Sequence, residues 1–177
     1  MKCSVFVGVS QDGYIARADG RLDWLSSPEP AAAPVGYGYN DFIRTVDAVV
    51  MGRGTFEVAL GFEPWPYDKP VIVLTSRQLS IPERLAGKVE VMSGTPSQVV
   101  ERLAARGMNH LYVDGGKTVT SFLNAGVIDE LTLSRVPVLI GSGIPLFGRL
   151  NYDVRLRHTG TREFPGGMVQ SRYEVTR

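Results

Sequence analysis

Short apolar runs alternate with amphipathic stretches along the first two thirds of the chain. The apolar runs predict buried strands at Lys2–Val9, Ala48–Met51, Pro70–Leu74, Lys88–Met92 and Leu111–Val113. The stretches between them favour helices at Tyr37–Val46, Phe56–Leu60, Pro96–Arg106 (with Thr95 as N-cap) and Lys117–Asn124. Ser26–Gly36, rich in proline and alanine, predicts an irregular stretch, and Gly61–Asp68, with two prolines and Trp65, predicts a surface loop. Because strands that alternate with helices pair in parallel, the pattern predicts an α/β fold with a mostly parallel central sheet flanked by helices.

The pattern changes in the last third of the chain. Ile128–Val138 alternates as a strand does, and a glycine- and proline-rich loop follows at Gly141–Phe147. Val154–Thr161 and Met168–Thr176 flank the turn Pro165–Gly167, which predicts a C-terminal antiparallel hairpin. Since no repeat, linker or low-complexity segment interrupts the chain, we expect residues 1–177 to form a single domain.

Composition narrows the classes of partner. The net charge is +1, with 44% hydrophobic and 21% charged residues, which implies no bulk attraction to nucleic acid or to an anionic membrane surface. The single cysteine, Cys3, cannot form an internal disulfide and is predicted to be buried in the first strand. No run is apolar enough for a membrane span and no signal peptide precedes the first strand, so we expect a cytoplasmic protein. With His110 and His158 as the two histidines, no metal-ligand cluster is expected.

Glycines, hydroxyls and cations recur where three predicted strands end. The residues are Gly52, Arg53 and Thr55 after one strand, Thr75, Ser76 and Arg77 after the next, and Gly115, Gly116, Lys117 and Thr118 after the third. A helix N-terminus with free N–H groups binds anions, and an arginine fork fits a phosphate. In α/β sheets the carboxyl ends of strands meet at one edge. Three anion-binding positions at this edge predict a dinucleotide with an additional phosphate, namely NADPH.

A nucleotide-binding P-loop is an alternative interpretation of the third strand end. Gly116-Lys117-Thr118 matches the last three positions of G-x-x-x-x-G-K-[ST], but the first glycine would have to stand where the chain has Leu111. An ordinary strand-to-helix turn is the other alternative.

Short motifs spread along the chain carry a family resemblance. Met51–Thr55 resembles the M-G-R-x-T motif of dihydrofolate reductases, Thr75–Arg77 their second cofactor stretch, and Gly115-Gly116 their paired glycines. The closer similarity is to the RibD C-terminal domain-like reductases. Its marks are S-x-D-G-Y-I-A at 10–16, V-D-G-G-K-T at 113–118, D-E-L at 129–131 and G-x-G-I-P-L-F at 141–147.

The resemblance implies a dihydrofolate reductase-like three-layer fold with NADPH lying across the strand ends. It implies that Arg53, Thr55, Ser76 and Arg77, with Gly52 and Thr75 beside them, serve the adenosine phosphate and pyrophosphate side. Gly115 to Thr118 would hold the pyrophosphate, and Gly8, Ile15 and Ala16 would line the nicotinamide. It further implies a homodimer that reduces a pyrimidine- or pterin-like small heterocycle, as the 5-amino-6-(5-phosphoribosylamino)uracil reductase domain of riboflavin biosynthesis does. A dihydrofolate reductase and a non-catalytic NADP-binding protein remain alternatives.

The catalytic acid is where the sequence departs from dihydrofolate reductases. Those enzymes carry an acid on the helix before the M-G-R-x-T strand, and the matching turn here falls near Gly38. Asp41 on that helix and Asp12 after the first strand are therefore the candidate catalytic acids. Because Gly38 can neither anchor a pterin nor deliver a proton, we predict poor or absent reduction of dihydrofolate.

Overall fold

An eight-stranded sheet forms the centre of the molecule in this computed structural model, which describes residues 1–25 and 35–176. The strands of the described part are β1 (Lys2–Ser10), β2 (Tyr14–Ala16), β3 (Ala48–Gly52), β4 (Val71–Leu74), β5 (Val89–Met92), β6 (His110–Asp114), β7 (Glu130–Val136), β8 (Ile144–Pro145), β9 (Arg155–Phe164) and β10 (Met168–Thr176). The order across the large sheet is β5-β4-β3-β6-β1-β7-β10-β9. Pairing is parallel from β5 to β7 and antiparallel at β7–β10 and β10–β9. The predicted parallel sheet and C-terminal hairpin are thus confirmed.

Helices cover both faces of this sheet. The α-helices of the described residues are α1 (Tyr39–Thr45), α2 (Arg53–Ala59), α3 (Pro96–Ala105) and α4 (Gly116–Asn124). Successive side chains of a strand point to opposite faces, so Val50 of β3 packs with α3 and α4, whereas Val49 and Met51 pack with α1 and α2. The result is the three-layer arrangement that the sequence predicted. Cys3 is buried in the layer that includes Val50, as expected.

The ends of α3 match their sequence signals. The side chain of Thr95 accepts a hydrogen bond from the backbone N–H of Gln98, and the side chain of Gln98 accepts one from the N–H of Thr95. This reciprocal capping box satisfies two N–H groups that the helix itself leaves without partners. The chain then leaves the helix just before Gly107, which has a φ of 85°.

Two local predictions need correction. The helix α2 begins at Arg53, three residues before the predicted Phe56, because Gly52 is extended (φ −81°, ψ 166°) and the chain turns directly from strand to helix. The loop 141–147 contains β8, which pairs antiparallel with β2 in a separate two-stranded sheet. A two-residue strand has too little pattern to be seen in a sequence, and its partner lies more than a hundred residues away.

Parts of the sequence fall outside these elements. The proline- and alanine-rich stretch predicted to be irregular, residues 26–36, lies mostly outside the described residues, and a 3-10 turn begins at Val35. Among the helices described, none is long and apolar enough to cross a membrane.

Candidate functional site

A cleft of about 790 Å³ opens where the parallel strands end. The carboxyl halves of β1, β3, β4 and β6 reach it, together with the first turns of α2 and α4. All of the predicted cofactor residues except Arg77 line it. These are Gly8, Ile15, Ala16, Gly52, Arg53, Thr55, Thr75, Ser76, Gly115, Gly116, Lys117 and Thr118. The structure therefore brings the predicted residues to one place, and their roles there stay predictions.

Two neighbouring strand ends touch each other and form what we call the strand-end rim, Gly52–Thr55 and Gly115–Thr118. A Cβ added to Gly115 would lie 2.2 Å from the hydroxyl oxygen of Thr55, and one added to Gly52 would lie 3.0 Å from that of Thr118. Gly115 also has a φ of 88°, which side chains of L-residues disfavour. The rim therefore needs glycine at these positions to keep its backbone N–H groups and hydroxyls together.

The loop 141–147 closes against this rim. A Cβ on Gly116 would lie 2.2 Å from the carbonyl oxygen of Pro145, and one on Gly143 equally close to that of Ala16. The N–H of Leu146 donates to the carbonyl of Gly13 at 3.0 Å. The loop thus fixes Ile15 and Ala16 against the start of α4, and the family resemblance implies that these residues line the nicotinamide.

Cations are present at the rim but are not all aimed into the cleft. Arg53 is partly exposed, and its Nε donates to Glu57 Oε1 at 2.6 Å within α2. Lys117 is exposed in the first turn of α4. Arg77 does not line the cleft, although its backbone N–H donates to the Thr75 hydroxyl at 3.1 Å. Of the three predicted cations, the structure places Arg53 and Lys117 at the site and Arg77 beside it.

Comparison with known proteins identifies the family of this chain. The family model of the RibD C-terminal domain matches residues 2–170. The chain belongs to the RibD C-terminal domain family. The uncharacterized protein YwjB of Bacillus subtilis is 35% identical over 174 residues, which span 97% of each chain.

Solved structures agree with the family assignment. A protein of Shewanella sp. PV-4 assigned to riboflavin biosynthesis is 37% identical, with a TM-score of 0.93 and full coverage of both chains. Dihydrofolate reductase from Enterococcus faecalis, solved with NADP(H), is 18% identical and has a TM-score of 0.68 over 99% of this chain and 97% of that one. The predicted dihydrofolate reductase-like fold is therefore confirmed.

Asp12, a predicted catalytic acid, holds the loop of this RibD C-terminal domain together. Its carboxylate accepts hydrogen bonds from the hydroxyl of Ser10 at 2.7 Å, the N–H of Gly141 at 2.7 Å and the N–H of Ile140 at 3.1 Å. These bonds hold the pKa of Asp12 below its usual value, with the Ser10 hydroxyl as the largest cause. Asp12 does not line the cleft. The geometry fits a carboxylate that stays ionised and anchors a loop.

Asp41, the other predicted acid, lies away from the cleft. Its side chain is 87% exposed and is paired with Arg44 at 3.2 Å on α1. Gly38, at the position where dihydrofolate reductases carry their acid, is the N-cap of α1 with a φ of 86°. The structure does not bring Asp41 to the residues that line the site.

An acid of the V-D-G-G-K-T motif for which the sequence predicted no role lies in the cleft. Asp114 is the last residue of β6, partly buried, and its Oδ1 accepts the N–H of Gly115 at 2.8 Å. The hydroxyl of Tyr67 donates to Oδ2 at 3.3 Å. Burial raises the pKa of Asp114, although its interactions with Gly115, Tyr67 and Tyr112 act in the opposite direction. A carboxyl group with a raised pKa in a cleft is a candidate proton donor.

Aromatic rings surround this acid. Phe6 stacks on Phe42 at 5.0 Å between centroids, and Phe42 meets Tyr112 edge to face at 5.2 Å. The hydroxyl of Tyr112 donates to the carbonyl of Phe6 at 2.8 Å. Burial raises the pKa values of Tyr67 and Tyr112 well above the ordinary value, so both stay neutral donors. We call Phe6, Tyr67, Tyr112 and Asp114 the aromatic–acid end; Phe6, Tyr112 and Asp114 line the cleft itself.

One signal in the sequence could have found this end. Tyr112 and Asp114 are two residues apart in a strand and so share a face, and Asp114 directly precedes the glycine pair. Tyr67 gave no signal, because it follows β3 and α2 in a stretch with two prolines that predicted a surface loop. In the described residues, no group of three or more His, Cys, Asp or Glu side chains is placed to hold a metal ion.

Proposed function

We propose that this protein is an NADPH-dependent reductase of a pyrimidine- or pterin-like small molecule. One observation carries the proposal: the strand-end rim, in which the hydroxyl oxygen of Thr55 lies 2.2 Å from where a Cβ of Gly115 would be. Contact this close leaves a cradle of N–H groups and hydroxyls for the pyrophosphate at Gly115–Thr118, with Arg53, Thr55 and Ser76 for the adenosine phosphate. Family membership supports a reductase, and the Enterococcus dihydrofolate reductase with the same fold was solved with NADP(H).

Bound across the rim, NADPH would supply a hydride to a ring C=N group of the substrate. The chain's own residues would supply position and a proton. Gly8, Ile15 and Ala16 line the part of the cleft between β1 and the loop 141–147, where they would exclude water from the nicotinamide. Asp114, whose pKa burial raises, would be the group that gives a proton to the ring nitrogen.

The test is binding first and turnover second. Titration of NADPH, followed by its fluorescence, should saturate, and NADH should bind at least about tenfold more weakly because a charged hydrogen bond contributes roughly 1.5–3 kcal/mol. Arg53→Ala should narrow this difference, whereas Arg149→Ala, outside the cleft, should not. Equal affinity for the two cofactors would contradict NADPH as the cofactor.

Turnover then separates the two alternatives. NADPH oxidation should be observed with pyrimidinones or pterins. Tight NADPH binding without turnover of any heterocycle would favour a non-catalytic NADP-binding protein. Rapid reduction of dihydrofolate, roughly 1 per second or more, would favour a dihydrofolate reductase.

We further propose that the protein acts in the cytoplasm as a homodimer. Tyr152 and Leu156 are 50% and 41% exposed near the start of β9, and such apolar surface supports a contact with a second copy. Light scattering at micromolar concentration should give twice the mass of the chain. A monomer mass would contradict the dimer.

A further inference from the structure

We propose that Tyr67 is a positioning residue that holds the carboxyl group of Asp114 in place for proton transfer to the substrate. The inference rests on the proposed function, because it takes Asp114 as the proton donor. It gives a role to the loop 61–68, which lies outside the described lining of the cleft.

Three groups of the described chain act on the Asp114 carboxyl, and they differ in what they can fix. The N–H of Gly115 donates to Oδ1 at 2.8 Å, but it belongs to the next residue and moves with the same strand end. The hydroxyl of Tyr112 also interacts with the carboxyl. A phenol has one proton, however, and Tyr112 donates its proton to the carbonyl of Phe6 at 2.8 Å. The third group is the hydroxyl of Tyr67.

Tyr67 reaches Asp114 from another part of the fold. Its hydroxyl donates to Oδ2 at 3.3 Å, across 47 residues of sequence. This distance is longer than the usual ~2.5–3.0 Å of an O–H···O bond, and catalytic hydrogen bonds are often this long until the substrate binds. With Gly115 on Oδ1 and Tyr67 on Oδ2, the carboxyl cannot turn about its Cβ–Cγ bond without losing one of the two bonds.

A row of aromatic rings fixes Tyr67 itself. Its ring meets Trp65 edge to face at 5.4 Å between centroids, and Trp65 meets Phe56 in the same way at 6.0 Å. The Nε1–H of Trp65 is buried without a partner in the described residues, so packing and not hydrogen bonding holds this ring. Phe56 is fully buried on α2, the helix whose first turn carries Arg53. The row therefore ties Asp114 to the helix at the strand-end rim.

The contact also affects how readily Asp114 keeps its proton. Burial raises the pKa of Asp114, whereas the hydrogen bond from Tyr67 lowers it because it stabilises the ionised form. The other titratable or charged groups of this region in the described chain are Tyr39, Asp68, Tyr112, Arg53 and Lys117. Of these, Tyr112 alone lowers the pKa of Asp114. Loss of the Tyr67 hydroxyl should therefore raise that pKa further.

The first test needs neither cofactor nor substrate. NMR follows the titration of Asp114 in protein labelled at its aspartate carboxyl carbons, and Asp114→Asn identifies the signal. In Tyr67→Phe, which keeps the ring and removes the hydroxyl, the midpoint should move to higher pH. Tyr39→Phe removes another phenol of the same aromatic cluster and is the matched control, which should leave the midpoint in place. An unchanged midpoint in folded Tyr67→Phe would overturn the inference.

Thermal melting checks that the variants fold. If Tyr67→Phe does not, a ring-fluorinated tyrosine at position 67 keeps the packing and makes the hydroxyl a stronger donor. The midpoint of Asp114 should then move to lower pH. The absence of that shift would equally overturn the inference.

Turnover gives the second test. In Tyr67→Phe the plateau kcat at low pH should fall roughly three- to tenfold, the range that one hydrogen bond contributes. The limb where activity falls with rising pH should move to higher pH, and the KM for NADPH should be unchanged. A lower kcat without movement of this limb would show that Tyr67 serves packing alone, and would overturn the inference.

The outcomes separate the inference from the proposed function. If Tyr67→Phe oxidises NADPH with an unaltered kcat and pH profile, the proposed function stands and the inference fails. If NADPH does not bind to the unaltered protein, or no heterocycle is turned over, the proposed function fails. The role of Tyr67 in proton transfer then falls with it, even where the NMR midpoint moves.

Discussion

The two ends of the cleft are built in different ways. The strand-end rim consists of two short segments, 52–55 and 115–118. Each is continuous in sequence and carries its glycine, hydroxyl and cation within four residues. The aromatic–acid end takes Phe6 from β1, Tyr67 from a loop, and Tyr112 and Asp114 from β6. Local backbone geometry creates the first end and tertiary packing creates the second. Substitutions at the rim should therefore act on the cofactor, and those at the other end on the substrate and its proton.

The largest effect is expected from Asp114→Asn on turnover. General acid catalysis is typically worth ~10²–10⁴ in rate, and asparagine cannot donate a proton from that position, so kcat should fall by roughly this factor. Stopped-flow measurement of NADPH oxidation would show it. The same change at Asp12 and at Asp41 tests the acids that the sequence predicted. Loss of turnover in either of these, with Asp114→Asn active, would reverse our assignment of the proton donor.

The raised pKa of Asp114 should also make the stability of the folded protein depend on pH. An acid whose pKa is raised by folding binds its proton more tightly in the folded state. Its contribution is full below the ordinary value of 3.8 and is lost as the pH rises through the raised value. Asp114→Asn has no group that ionises at this position, so it does not lose this stability. Between pH 4 and pH 8 the urea midpoint of its unfolding should therefore fall less than that of the unaltered protein. Parallel pH profiles would contradict the raised pKa.

At the rim, Gly115→Ala should weaken cofactor binding and stability together. The substitution puts a Cβ 2.2 Å from the Thr55 hydroxyl in a backbone conformation that costs roughly 1–3 kcal/mol for a residue other than glycine. Gly87→Ala is the matched control, because Gly87 also has a positive φ, 76°, but nothing within 4 Å of its added Cβ. We expect both variants to lose stability and Gly115→Ala alone to lose NADPH affinity. Equal NADPH affinity in the two would show that the rim tolerates a side chain.

Much of the fold could be predicted from the sequence, because strand runs such as Ala48–Met51 are apolar on both faces. The rim could be predicted as well, since a glycine beside a cation and a hydroxyl is a local signal. The loop Gly61–Asp68 was predicted as surface, whereas Trp65 and Tyr67 pack into the core. That burial depends on α2 and β4 coming together, which a local pattern does not encode. For the same reason the V-D-G-G-K-T motif does not by itself show that Asp114 lies beside Tyr67 in the cleft.

A smaller effect is expected where the loop 141–147 joins the two ends. Asp12→Ala removes the acceptor of the Ile140 and Gly141 N–H groups, so hydrogen exchange at these two amides should become faster. Asp12→Asn retains one acceptor oxygen and should be intermediate. NADPH affinity should fall a few-fold, since the loop positions Ile15 and Ala16. Unchanged exchange in Asp12→Ala would mean that the loop holds its place without this residue.

The smallest effect is expected far from the cleft, at His110 near the amino end of β6. Burial lowers the pKa of His110 below 6.5, so its contribution to stability is present above pH 6.5 and is lost as the pH falls below that value. In His110→Gln the urea midpoint should vary less between pH 8 and pH 5. Turnover should be unaffected by this change if the site is confined to the cleft.

The strand order has a consequence for synthesis on the ribosome. β1 is made first, but its neighbours in the sheet are β6 and β7, which end at Asp114 and Val136. Because synthesis adds roughly 5–20 residues per second, the apolar surface of β1 stays without a partner strand for on the order of 5–25 s. We therefore expect nascent chains that end near residue 105 to be cleaved by protease within β1 and to recruit chaperones. Chains with Val136 outside the ribosome should be protected there.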